Sequence, residues 1–552
     1  MGWRFLTLAL GTLGCMMRKR AIFAAAALVL MVFAGGGSTA PGVRAAVPAI
    51  AWEPCGRIEC GTLEVPLDYA EPGGRMIELS LVRVAAREPS ERIGVLLANP
   101  GGPGGSGNDF VRVWANALSN DIRNRFDIIG FDPRGVGEST PVVCHDHLQE
   151  LVAADPDPDT EAEWDAAKRV AERLAKDCAA RHGDLLPHVG TRNVARDMDR
   201  IRESLGEEQI TYVGYSYGTT IGSVYADMFP SRVRAMVLDG GTDLSLSVND
   251  GIRTQIMGFE RALEAYLADC REDRCAIAKD GDPRKVVEEV LAKAEASPIP
   301  APRADRPAGP GEAELGIISA LYSKFTWGAL TAALEQARKG DGSGLVELTD
   351  AYLQREPDGS YPNLIEANIA VNSVDGECSK DPEAGKALGE LVAKDAPTFG
   401  RSAATSGLVC AYWPAKADPL TAPRAAGTPP IVVIATTNDP ATPYEWGKAL
   451  SEQLESGVLV TYRGEGHTIY AQGSGCIDDL VDAYLVGLAV PAEGSVCGRG
   501  APPPVSADQE DSAGTLWYWV VGLALFALAV VFLALAFVKH RRQAEARERA
   551  IS

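Results

Sequence analysis

Ser216, Asp439 and His467, scattered along a chain of 552 residues, are of the three types that share the work of nucleophilic catalysis. A serine hydroxyl is too weak an acid to attack a carbonyl alone; it needs a base for its proton and a third group to orient that base. Ser216 stands in GYSYG, 214–218, after the apolar run ITYV and before the small-residue stretch TTIGSVYADMFP. A strand, a sharp turn and a helix form the context in which G-x-S-x-G exposes a strained serine, and without that context ordinary loops match the pattern. The amide of Tyr217 would then face the oxygen of an attacked carbonyl.

Six histidines occur, at 145, 147, 182, 188, 467 and 540. The first four precede Ser216, and His540 follows a long apolar run near the C-terminus. His467 follows the strand-like GVLVTY in the loop RGEGHTIY, which fits the chain order serine, acid, histidine. Asp439 closes IVVIATTN and enters PATP, a tight turn that would aim it at His467; Asp239, after VRAMVL, is the competitor one strand earlier. Asp439 is favoured because it lies beyond an intervening insertion and nearer His467 in the chain. A second oxyanion donor fits NPGGPGGSG, where side-chain-free glycines expose amides: Gly102 first, Gly101 next. No Lys-Ser/Thr follows these glycines, so a phosphate loop does not fit. Chemistry of this kind calls for no metal and no organic cofactor. Asp132 and Arg134, in GFDPRGVGEST, read as braces for the loop.

The elements that must hold these residues alternate. IELSLVRVAA, IGVLLANP, FDIIGFDP, ITYVGYS and VRAMVLDG read as strands, with amphipathic helices at TEAEWDAAKRVAERLAKDCAARH and NVARDMDRIRESLG between them. PPIVVIATTNDP and GVLVTYRGEGH resume the pattern. The fold class is α/β, a mainly parallel sheet with helices on both faces. The core occupies 47–241 and 429–497, interrupted over 242–428 by a mainly helical segment that reads as a cap.

Both ends carry further signals. Residues 1–46 hold Arg18, Lys19 and Arg20, an apolar run and small residues, which read as a signal peptide with cleavage near Ala45 or Ala46. A Pro/Gly/Ser-rich linker over 498–515 leads to 516–538, uncharged and long enough to span a bilayer, with Trp517, Tyr518 and Trp519 at one edge. KHRR follows, so the tail 539–552 is expected in the cytoplasm and the catalytic part outside. The net charge of −21 argues against nucleic acid and anionic membrane surfaces as partners. Setting Cys15 aside, ten cysteines fall into close pairs: Cys55 with Cys60, Cys144 with Cys178, Cys270 with Cys275, Cys378 with Cys410, and Cys476 with Cys497. Disulfides in an oxidising compartment fit these better than a metal site, since no CxxC pair with nearby histidines occurs.

NPGGPGGSG, FDPRGVGES, GYSYGT, VLDG, NDPATP and GEGH, with WEPCGRIECGTLEVPLDYAEP upstream, resemble the secreted actinobacterial tripeptidyl aminopeptidase family over about residues 50–497. Members are α/β-hydrolases related to proline iminopeptidases. The resemblance implies a serine exopeptidase that removes short peptides from a free N-terminus; relatives are described as carboxylesterases, so an ester is the alternative substrate. Two features depart from the pattern: AVNSVDGEC has Ser373 ahead of Asp375 with Cys378 displaced, and a membrane span is foreign to freely secreted members. An aminopeptidase must capture an α-ammonium, for which Glu366, Asp375 and Glu377 of the cap are candidates. The same acids on a helical insertion are equally read as solvated surface.

Overall fold

The computed structural model describes residues 49–144, 148–279 and 281–498. The expected signal peptide, the membrane span 516–538 and the tail lie outside these residues, as does the linker beyond Gly498. Among the described residues no helix is long and apolar enough to cross a membrane.

Ten strands form one sheet: β1 (Glu53–Cys55), β2 (Ile58–Pro66), β3 (Met76–Val84), β4 (Gly94–Asn99), β5 (Phe126–Phe131), β6 (Ile210–Tyr215), β7 (Val233–Asp239), β8 (Ile431–Asn438), β9 (Gly457–Glu465) and β10 (Val496–Gly498). Their spatial order is β1-β2-β3-β5-β4-β6-β7-β8-β9-β10. From β5 to β10 all neighbours are parallel, whereas β1, β2 and β3 pair antiparallel, with β3 joining β5. Parallel strands covered on both faces have to be apolar throughout, and every residue of β4 and β6 is buried. Successive residues enter opposite layers: Leu97, Tyr212 and Val433 pack in one core, while Leu96, Val213 and Val432 pack in the other. That split is the period-two geometry of a strand.

Strand β4 lies between β5 and β6, so the chain leaves it towards one side and returns on the other. In open α/β sheets such a reversal leaves a crevice at the carboxyl ends of the strands, where ligands bind. The loop after β4 and the turn after β6 meet there. The expected helix after Thr160 spans Glu161–His182 and begins with a capping box between Thr160 and Glu163.

The helical insertion joins β7 to β8. Its main helices are Val248–Glu272, Pro283–Ala296, Pro310–Leu321, Trp327–Arg338, Ser343–Leu353, Leu364–Asp375 and Ala384–Val392. It is two layers rather than one block. Phe259, Leu263, Ile317, Leu330, Leu334 and Leu345 form a core of their own, whereas Ala370, Val371 and Val374 join the core beneath the sheet.

The ten cysteines are all oxidised, each to its expected neighbour. Cys55 is bonded to Cys60 across the β1 to β2 hairpin, and Cys476 to Cys497 at the far edge of the sheet. Cys144 is bonded to Cys178 of the helix Glu161–His182. Within the insertion, Cys270 is bonded to Cys275, and Cys378 to Cys410. Five disulfides fit a protein that matures in an oxidising compartment.

Candidate active site

Ser216 sits between β6 and the helix Tyr217–Met228 with φ 55° and ψ −125°, a backbone conformation that a residue with a side chain occupies at a cost. Its amide donates to the Asp239 carbonyl at 2.9 Å, which pins the turn to the end of β7. The flanking glycines explain how so sharp a turn fits. A Cβ on Gly214 would lie 2.3 Å from the Gly218 carbonyl oxygen, and one on Gly218 would lie 2.7 Å from the Asn99 carbonyl oxygen. Strand and helix therefore cross at backbone contact, and Ser216 is the half-exposed residue in an otherwise buried stretch.

The glycine loop lies directly against the serine. An added methyl on Gly101 would stand 2.8 Å from Ser216 Cβ and 3.0 Å from the Tyr217 amide nitrogen. The Gly101 N–H is already donated to Asn99 Oδ1 at 2.9 Å. The Gly102 N–H has no acceptor among the described residues, which favours it as the free donor. Tyr217 opens its helix, so its N–H has no partner within the helix and lies at the positive end of the dipole. The Tyr217 hydroxyl is tied to Thr191 Oγ1 at 2.6 Å, and Thr191 Oγ1 in turn donates to Asp375 Oδ2 at 2.5 Å.

Asp439 follows β8 and receives the His467 ring, Nδ1 lying 2.9 Å from both carboxylate oxygens. Its Oδ1 also accepts the Ala441 and Thr442 amides at 2.9 Å each, and Oδ2 accepts the Thr442 hydroxyl at 3.1 Å. The PATP turn thus encloses the carboxylate in donors and fixes its orientation. The Thr442 hydroxyl also stands 3.3 Å from His467 Nδ1. Asp239 does a different job: its Oδ2 accepts the Ile469 and Tyr470 amides at 2.8 Å each, holding the loop that carries His467. Burial pushes Asp239 up to about 6. Burial opposes charge on His467, but the adjacent Asp439 and Asp239 carboxylates outweigh it and hold the imidazole above its ordinary value. Gly240 connects the two halves of the site. It follows the residue whose carbonyl holds the serine turn, and a Cβ there would lie 3.2 Å from His467 Cε1.

The cap completes the imidazole's surroundings. The His467 amide donates to the Tyr322 carbonyl at 2.8 Å, and the Tyr322 ring meets the imidazole edge-on with centroids 5.5 Å apart. Helix Leu364–Asp375 rests on the glycine loop, where Asn368 Nδ2 donates to the Pro103 carbonyl at 3.1 Å. A cleft of about 560 Å³ opens beside His467, lined by Phe110, Val113, Trp114, Tyr215 and Gln354 among others. Tyr322 and Thr442 escaped the sequence reading. Thr442 was visible inside NDPATP, while nothing local marks Tyr322.

Asp132 and Arg134 are braces. Asp132 accepts the Ser106 hydroxyl and the Asn108 and Glu138 amides, and the fully buried Arg134 pairs with Asp197 at 2.6 Å. The three acids weighed for N-terminus capture are not brought together at the serine. Glu366 accepts the Cys144 amide at 2.8 Å, Asp375 accepts the amide and hydroxyl of Thr191, and Glu377 is exposed. Burial pushes Asp375 up to about 7. Among the described residues one acidic trio, Asp155, Glu163 and Glu295, has ligand atoms within 4.8 Å of one another and could hold a metal ion; none of the three belongs to the site just described.

Comparison with known proteins agrees with this fold. Residues 94–278 match the family described as alpha/beta hydrolase fold, and residues 396–497 match the family described as TAP-like protein. A serine protease named Hip1 from Mycobacterium tuberculosis is 38% identical, covering 87% of this chain and 98% of its own. Carboxylesterase B from the same organism is 37% identical over 84% of this chain and 92% of its own. A tripeptidyl aminopeptidase from Streptomyces coelicolor is 34% identical over 85% and 89% respectively. The chain is therefore a serine hydrolase with the α/β-hydrolase fold, and it belongs to the tripeptidyl aminopeptidase-like family.

Proposed function

We propose that this protein is an aminopeptidase that releases short peptides, two or three residues long, from free N-termini. Ser216 Oγ attacks the scissile carbonyl and gives its proton to His467 Nε2, while Asp439, which stays ionised, accepts a hydrogen bond from Nδ1–H and stabilises the imidazolium. The amides of Gly102 and Tyr217 receive the oxyanion. His467 then protonates the leaving amine, which departs as the shortened chain and leaves the N-terminal peptide as an ester on Ser216. Water, deprotonated by the same imidazole, cleaves that ester and restores the serine.

The observation that carries the reading is the contact between the insertion and His467. With Tyr322 against the imidazole, the cap roofs the reacting atoms on one side, which favours chain ends over chain interiors. Support for export comes from the five disulfides and the leader-like residues 1–46, and support for a membrane tether from the apolar run 516–538. The aromatic lining of the cleft favours one second reading, an esterase, since the same machinery opens esters.

Matched tripeptide p-nitroanilides with free and acetylated N-termini, run beside a short p-nitrophenyl ester, test the proposal. The free amine is expected to be cut far faster. Equal rates on the acetylated peptide refute the exopeptidase reading, and turnover of the ester alone makes the enzyme an esterase.

A further inference from the structure

A second cavity lies under the cap, with a volume of about 390 Å³. Its walls include Ile256, Phe259, Leu315, Ile318, Leu353 and Ile365, and Glu314 reaches it from the helix Pro310–Leu321. No lysine or arginine lines it, whereas Asp155 stands with Glu314 on its wall. A carboxylate in an apolar recess without a cation is poorly solvated. Burial, with Asp157 and Asp155 nearby, pushes Glu314 up to about 8 against the weaker opposing pull of the Ser402 hydroxyl. Asp157 has Arg401 at 4.0 Å, but no such ion pair serves Glu314 among the described residues.

The cavity adjoins the reacting centre. Phe259, on its wall, packs on Tyr322 with ring centroids 5.4 Å apart, and Tyr322 packs on His467 at 5.5 Å. Leu353 lines the cavity while the next residue, Gln354, lines the cleft beside His467.

We propose that this cavity receives the N-terminal residues of the peptide substrate and that Glu314 pairs with their α-ammonium. The assignment rests on the exopeptidase reading and deepens it. An ammonium arriving at Glu314 supplies the cation that the recess lacks, and a charge-assisted hydrogen bond formed there is stronger than one in water. Substrate length follows from geometry, because the distance from Glu314 to the serine fixes how many residues fit between the amine and the scissile bond. Glu366 and Asp375 are spent on internal donors and Glu377 faces solvent, so none of them competes for this role.

The test compares kcat/KM for a tripeptide p-nitroanilide and its des-amino analogue, in which the first residue is replaced by an acyl group of equal size. Wild type is expected to prefer the amine by about 100-fold, and Glu314→Gln to cut that ratio below about tenfold, chiefly through KM. If wild type shows no preference, the exopeptidase reading itself falls. If wild type prefers the amine and Glu314→Gln keeps the full ratio, only the present inference is overturned. Ile318→Phe gives an independent reading by filling the cavity. It is expected to shift preference from tripeptide to dipeptide substrates, and an unchanged length preference overturns the assignment. Faster turnover of long-chain than short-chain p-nitrophenyl esters, without amine preference, assigns the cavity to an acyl chain and likewise overturns it.

Discussion

Replacing Asp439 by asparagine separates the two acids that compete for the role of orienting His467. The Asp439 oxygen that accepts the Ala441 and Thr442 amides at 2.9 Å must remain an oxygen, because both partners are donors. The asparagine NH₂ then takes the place of Oδ2 and points at His467 Nδ1, now 2.9 Å from that position. The retained oxygen also lies 2.9 Å from Nδ1, so two tautomers compete; where the NH₂ donates to Nδ1, the proton moves to Nε2, the atom that has to receive the serine proton. Selection of this wrong tautomer costs about 10,000-fold in kcat, roughly 5.5 kcal/mol of barrier. The assay is kcat on a tripeptide p-nitroanilide, with the active fraction set by titration with a fluorophosphonate. Asp239→Asn keeps an oxygen for the Ile469 and Tyr470 amides and is expected to lose less than about tenfold, since it removes no proton-transfer partner. A loss under about 100-fold for Asp439→Asn, or a greater loss for Asp239→Asn, refutes the assignment.

Three further outcomes follow from the same geometry. His467 is held above its ordinary value of 6.5, and a base works only when neutral, so the acid limb of kcat/KM should centre above pH 6.5; in Asp439→Asn the residual activity should show that limb moved down, and an unmoved limb contradicts the electrostatic account. Gly101→Ala would put a methyl 2.5 Å from the Tyr215 carbonyl oxygen at a φ of +96°, so a loss of about 100-fold or more in kcat is expected, with near-wild-type activity counting against the loop's placement. The bridge from Cys144 to Cys178 closes a loop with a sequence separation of 34; its double serine variant should lose about 4 kcal/mol in denaturant unfolding, and a loss under about 1 kcal/mol would show that the loop is ordered without it.

The central strands could be read from sequence because burial on both faces forces apolar runs such as ITYVGY and IVVIATTN. Strands β1, β2 and β10 could not. In β2, Glu59, Glu64 and Gly61 interrupt the apolar pattern, and its antiparallel register with β3 depends on a pairing that no local signal announces. Ser216, Asp439 and His467 were legible because strand order limits where each can stand and because a single histidine follows the late strand. An acid placed to capture the amine has no such local marker. Glu366 and Asp375 have the same carboxylate chemistry as Glu314, and only burial and donors distinguish a spent carboxylate from one still lacking a cation. Tyr322 lies far upstream of His467 in sequence, so its contact exists only once the insertion folds back.

That fold-back links two properties usually thought separable. Because the Tyr322 carbonyl holds the His467 amide, the insertion helps to position the base we propose as well as to line the proposed path of the substrate. Exchanging this segment between relatives to transplant selectivity would remove part of the scaffold on which turnover depends. Variation in substrate range is then most accessible at the far wall of the insertion, where side chains can change without disturbing the residues beside the imidazole.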